Sequence, residues 1–406
     1  MSKLLKFIVI KRLLFVSFLI ILITLFACSI DSTEEHDNSL KDTISSKKTP
    51  TVIKNEVSPY IINDTLNSIA QIIAGNADSN NLFSEVIHSE EYKNFSNAFS
   101  QRWKLFDSTR IIKLKSFCKN ELSKEISNKE ILFYPFSGPD ILYADLFFNN
   151  SSKFVLIGLE PVGTLHSFVD KTSHNKYFST INNSLHSILK FSFFRTISMS
   201  RDLKNQDVDG TIHLLFLFLN RMGNSIVSAK PITVDSSGSV VFCNSFESLK
   251  KSDLKTKGIQ IMYLSPENKI KELNYFSLNA TDDGLKSNLG FSNYLLSLSN
   301  FNTYLKGASY LLHNSNFSTI RNFILNKSKT VTQDDSGIAY RYFVKSKINW
   351  TFKLYGNYTR PISLFSNCYQ KDLDSLYKKQ GSKFIGFGIG YNFNDQNSNL
   401  FIARSE

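Results

Sequence analysis

The stretch ILFYPFSGPDILYADLFFNNSSKFVLIGLEPVG, residues 131–163, decides the fold. Residues 131–134 are an apolar run short enough for a buried strand. Residues 154–159 are a second run, bounded by Lys153 and Glu160. Neither run alternates with polar residues, which suits parallel strands covered on both faces. Between them, 135–140 (PFSGPD) carries turn residues, and 141–148 is helical in pattern, with Pro139 suited to the first helical position. The order strand, turn, helix, strand predicts a β-α-β unit around 131–159. Its helix has about two turns, the lower limit for a parallel crossover. The expected fold class is therefore α/β or α+β: a mixed sheet with helices on its faces and more antiparallel strands in the C-terminal half.

Working outward, Asn63 or Asp64 can cap a helix carrying Leu66, Ile69 and Ile73, closed by Gly75. A second helix is expected from about Ser89, with Tyr92, Phe95, Phe99, Trp103 and Phe106 as its packing stripe. Downstream, 182–190, 211–221, 288–298 and 317–325 have helical spacing. Residues 225–234 and 240–243 form an expected hairpin around Ser236-Ser237-Gly238, and 258–264 with 269–278 another around Pro266-Glu267-Asn268. Residues 347–358 and 384–393 are candidate strands. In the latter, Gly386, Gly388 and Gly390 recur with period two and would share one face. The region 60–235 reads as α/β and 236–406 as α+β, as two domains or as one.

The N-terminus differs in kind. Lys3, Lys6, Lys11 and Arg12 precede an uncharged run, LLFVSFLIILITLF at 13–26, then Ala27 and Cys28. This is the charged region and short apolar core of an export signal. A spanning helix would need to recruit residues 8–10 and bury Lys11 and Arg12 in hydrocarbon. The tetrad Leu25-Phe26-Ala27-Cys28 resembles the lipobox of bacterial lipoprotein precursors. That resemblance implies cleavage after residue 27, lipidation of Cys28 and a cell-envelope location, anchored to the outer membrane on its periplasmic or surface face without a spanning helix. Residues 28–59 then read as lipidated cysteine and tether, poor in apolar residues and acidic just after the cysteine. The strings YPFSGPDILYADLFF, VLIGLEPVG and QDDSGI also resemble those of uncharacterised envelope lipoproteins, and no activity follows from that.

Composition excludes some classes. The formal net charge is +12, and the first 27 residues contribute four of those charges, so the remainder carries a dilute +8. With no nucleic-acid motif, no such partner is expected. Besides Cys28 the chain has Cys118, Cys243 and Cys368, enough for one disulfide at most. No zinc-type His-Glu-x-x-His, P-loop, G-x-S-x-G or dinucleotide glycine fingerprint occurs in the folded part, and no metal or cofactor is assigned.

The best candidate site follows from geometry. Ligands of α/β sheets bind beyond the carboxyl ends of strands. Ser137 and Asp140 follow the first strand, and Glu160 and His166 follow the second. Together they could support acid–base chemistry or hydrolysis. The structural alternative makes Ser137 a helix cap, Asp140 a favourable charge in the first helical turn and Glu160 the first exposed residue after a core strand. A second acidic spot, Asp334-Asp335-Ser336-Gly337 with Arg341 close behind, is a possible binding turn, although it lacks the spacing of a calcium loop. Three functions remain: a membrane-anchored envelope lipoprotein that binds a protein or small molecule, a tethered hydrolase using residues 137–166, or a barrel including 384–393. Labelled palmitate should enter the wild-type protein and be absent from Cys28→Ala; equal labelling of both would exclude the anchor.

Overall fold

Ile131–Tyr134 (β1) and Lys153–Gly158 (β2) pair in parallel, with Ile131 opposite Lys153 and Tyr134 opposite Leu156. They are the centre of the computed structural model, which describes residues 60–169, 174–191, 208–392 and 394–406. The expected signal, Cys28 and the tether to residue 59 lie outside the described residues, as do the side chains of 184–191. The described residues belong to one compact unit, Pro59–Glu406.

Ten strands form one mixed sheet in the order β4-β3-β5-β6-β2-β1-β7-β8-β10-β9. The others are β3 (Ser225–Val234), β4 (Val240–Phe242), β5 (Lys257–Leu264), β6 (Ile270–Ser277), β7 (Phe301–Leu305), β8 (Ser328–Gln333), β9 (Trp350–Gly356) and β10 (Asn399–Ser405). β6, β2, β1, β7 and β8 are mutually parallel, and antiparallel strands extend the sheet at both ends. A domain boundary at 235/236 would cut the β3–β4 hairpin.

Side chains alternate between two cores, as the strand pleat requires. Leu132, Tyr134, Phe154 and Leu156 face one core. It is built with helices α1 (Asp64–Ile73), α2 (Glu90–Phe106), α3 (Ile141–Phe147), the start of α4 (Asn175–Phe191) and α5 (Ile212–Arg221). Phe133, Val155 and Ile157 face the other, with α6 (Leu289–Ser297), α7 (Ser318–Lys327) and α8 (Lys371–Gln380). The sheet is therefore wound on both faces.

The expected caps form: Asn63 accepts from Leu66 N–H at 3.0 Å and Ser89 from Tyr92 N–H at 3.2 Å. α2 does not stop at Phe106. It runs on through a π turn (Asp107–Ile111), Ile112–Phe117, a second π turn (Cys118–Leu122) and Ser123–Glu125. The buried stripe steps by three or four residues from Tyr92 to Phe106, then jumps to Ile111, and later from Phe117 to Leu122. Each jump coincides with a π turn, whose extra residue keeps the apolar row on the core.

Two local expectations need correction. Pro139 precedes the cap of α3 rather than opening the helix, because Asp140 is itself the N-cap. Residues 384–392 are not a strand: Gly386 and Gly390 have φ of +75° and +67°, which bends the chain away from an extended path. The barrel reading loses its strand with them. Cys118, Cys243 and Cys368 are free thiols, so no disulfide forms among them.

Candidate functional site

The chain runs β1, β2, β6 in one direction and then crosses to β7 and β8 on the far side of β1. The boundary between β1 and β7 is a topological switch point, the place where ligands bind in doubly wound sheets. At the carboxyl ends of these strands the fold collects Ser137, Asp140, Glu160, Lys306, Asp334 and Asp335, all buried.

Asp140 and Lys306 are the centre. Lys306 directly follows β7, and its Nζ is 2.6 Å from Asp140 Oδ2, each side chain only 1% exposed. Asp140 also accepts from Tyr143 N–H at 3.2 Å and from the Tyr134 hydroxyl at 3.0 Å. The ammonium sits 3.3 Å from the centroid of the Tyr143 ring. Burial pushes the Asp140 carboxyl up and the Lys306 ammonium down to about 8, while their mutual attraction opposes both shifts. Three donors on one carboxylate favour the charged pair.

Asp334 and Asp335 follow β8. Asp334 accepts from Gly307 N–H at 2.9 Å and from the Ser336 N–H at 3.0 Å and hydroxyl. Burial, then the Asp335 charge, pushes its carboxyl up to about 7. Asp335 accepts from the Tyr310 hydroxyl at 2.6 Å and Asn399 Nδ2 at 2.9 Å, and burial raises it too. Residues 384–392 cover this corner. A Cβ on Gly390 would lie 2.0 Å from Asp334 Oδ2, so only glycine fits, and Tyr391 donates to Gly307 O at 2.9 Å.

Glu160 is buried rather than exposed; Leu159, at 66%, takes the outward position. Its carboxylate packs where Gly158 lacks a side chain: a Cβ there would lie 2.6 Å from Glu160 Oε2 and 3.0 Å from Gly138 Cα. Tyr275 donates to the Glu160 carbonyl at 2.7 Å. Ser137 is not the cap of α3. Its N–H donates to Ile157 O at 3.0 Å and its hydroxyl to Gly138 O at 2.9 Å, tying the turn after β1 to the end of β2.

The structure thus merges two acidic spots that are 160 residues or more apart in sequence, and leaves two expected members elsewhere. His166 stacks on Tyr177 at 4.2 Å between ring centroids and shares a 3.0 Å hydrogen bond with His174. That histidine group includes His213, which burial pushes down to about 4 and which shares a 3.0 Å hydrogen bond with the Tyr177 hydroxyl. Arg341 donates to His313 O at 3.2 Å and lies over the Tyr342 ring. Lys306 escaped sequence reasoning; its only signal is a lysine placed directly after an apolar strand. Among the described residues, no group of three or more His, Cys, Asp or Glu could hold a metal ion. Comparison with family models, curated proteins and solved structures returned no match.

Lys306→Met strands the Asp140 carboxylate and should cost about 3–5 kcal/mol in urea unfolding. Adding Asp140→Asn, which keeps a capping oxygen, should recover part of that loss; strictly additive costs would refute the pairing. Asp334 has its own pH signature. Unfolded, it ionises near 3.8; folded, it keeps its proton to about 7. Between those values the folded state binds more protons, so stability should fall as pH rises from about 4 to about 7. Asp334→Asn should flatten that fall, as read from unfolding midpoints across the window.

Proposed function

We propose that this protein is a lipid-anchored envelope protein whose α/β body binds a small hydroxyl-bearing ligand at the β1/β7 switch point. The anchor rests on the sequence features around Cys28. No helix among the described residues is long and apolar enough to cross a membrane. The observation that carries the ligand reading is the concentration of buried ionisable groups at the one sheet edge where doubly wound folds bind ligands.

The edge also selects ligand chemistry. From β6 to β8 the parallel strands run 3-2-1-4-5 when numbered among themselves, an order shared with dinucleotide-binding sheets. In such sheets an acid about 20 residues beyond the glycine turn accepts from ribose hydroxyls, and Glu160 stands in that relation to Gly138. The phosphate cradle is missing. The turn holds Gly138 alone, Pro139 removes one N–H, and Asp140 occupies the helix start with negative charge. A neutral or cationic nucleoside-like diol suits this edge, and a pyrophosphate does not. The hydrolase reading finds less support, because the Ser137 hydroxyl is spent on a carbonyl and His166 is engaged with His174.

Calorimetry with adenosine, the cationic nucleoside S-adenosylmethionine and the anionic dinucleotide NAD tests this. One of the first two should bind and NAD should not. Glu160→Gln should weaken binding about 10- to 100-fold, the loss of a hydrogen bond to a charged acceptor. Binding of none, or equal binding by the variant, would exclude the assignment.

A further inference from the structure

Residues 102–120 contain six bases, Arg102, Lys104, Arg110, Lys113, Lys115 and Lys119, and one acid, Asp107. They lie on the long helix described above, whose π turns hold the apolar stripe on the core. The opposite face therefore stays continuous in solvent. It exposes Lys104, Lys113, Lys115 and Lys119 together with Leu105 and Ile112, which are 64% and 57% exposed. The neighbouring acids turn away: Glu121 lies 2.7 Å from Lys383 and accepts from Tyr355, and Glu125 lies 3.8 Å from Lys353. Asp107 is half-buried.

We propose that this face docks on an anionic phospholipid surface. The lysines match headgroup phosphates, and Leu105 and Ile112 reach the acyl boundary, as on an interfacial amphipathic helix. A nucleic acid fits less well. The aromatic rings of this helix, Tyr92, Phe95, Phe99, Trp103, Phe106 and Phe117, are all buried, so the face offers no base-stacking platform. The proposal rests on the anchored reading only for what brings the face to the bilayer, and it adds the second attachment signal that a lipid anchor gains from a basic patch.

The test uses the chain from Ser29 onward, which lacks both Cys28 and the basic, apolar stretch before it and keeps the compact unit Pro59–Glu406 whole, and sedimentation with phosphatidylcholine vesicles with and without phosphatidylglycerol. The protein should sediment with the anionic vesicles only. Lys113→Gln/Lys115→Gln/Lys119→Gln should weaken this by about fivefold per lysine, roughly a hundredfold in all. Leu105→Ser/Ile112→Ser, which leaves every charge in place, should weaken it as well. Circular dichroism should show all variants folded, because each substituted side chain is exposed. Absence of sedimentation, equal sedimentation with neutral vesicles, undiminished binding by the lysine variant, or binding to DNA but not to vesicles would each overturn the docking surface. None of these outcomes depends on whether Cys28 is acylated.

Discussion

A lysine and an aspartate buried together between β1 and β7 set the terms for the rest of the molecule. Neither charge tolerates isolation in an apolar interior, so both strands must end at the same height and the turn after β1 must deliver Asp140 to the place where β7 releases Lys306. Asp140 meets this demand while capping α3, which couples the crossover helix to the ion pair. The Tyr134 hydroxyl and the Tyr143 ring complete the shell. Two of these four residues lie in the first β-α unit, one is its cap, and only Lys306 comes from the other side of the switch point.

The same logic explains why so much backbone gathers at this edge. Three aspartates and a glutamate cannot share a dry corner unless nearly every lone pair finds a donor. Gly307, Ser336, Tyr310 and Asn399 supply them for the two aspartates after β8. Asn399 opens β10, which is antiparallel to β8 and so begins at the carboxyl edge where Asp335 needs it. The fold uses its last strand to satisfy a charge as well as to extend the sheet. Gly158 and Gly390 do the complementary work of omission, since a methyl group at either would collide with a carboxylate.

Legibility in the sequence followed apolar contrast. The β1-α3-β2 unit was readable because uninterrupted apolar runs on either side of a turn have few other interpretations. β8 was not, because SKTVTQ reads as a polar loop. Its Ser328 is nonetheless buried in a hydroxyl pair with Thr303, and its Gln333 bonds the backbone of Ile338 in both directions. Glu160 was misread by one residue of phase: the chain turns Leu159 outward and the carboxylate inward, against the hydrophobicity of both. The period-two glycines at 386–390 imitate a strand, and only the positive φ values of Gly386 and Gly390 reveal the bend. Ser137 and Asp140 were placed correctly at a strand end. The cap role went to Asp140 and not Ser137, because a carboxylate caps a helix as well as a hydroxyl does and here has a lysine to hold it.

Beyond its ion pairs, this body gathers carboxylates at the buried sheet edge and lysines on the exposed face of the long helix. The carboxylates of the sheet edge are buried, and burial pushes the aspartates among them upward. Each proton retained there reduces the negative charge that the single Lys306 must offset. The lysines of the long helix stay on the outside with no exposed acid among residues 102–120. A basic surplus too dilute to mean anything as a total thus acquires meaning from placement, since a field depends on where charges lie and not on their sum. A corner crowded with carboxylates and a helix face lined with lysines can coexist in one unit only because the sheet edge buries its charge and the helix displays its own.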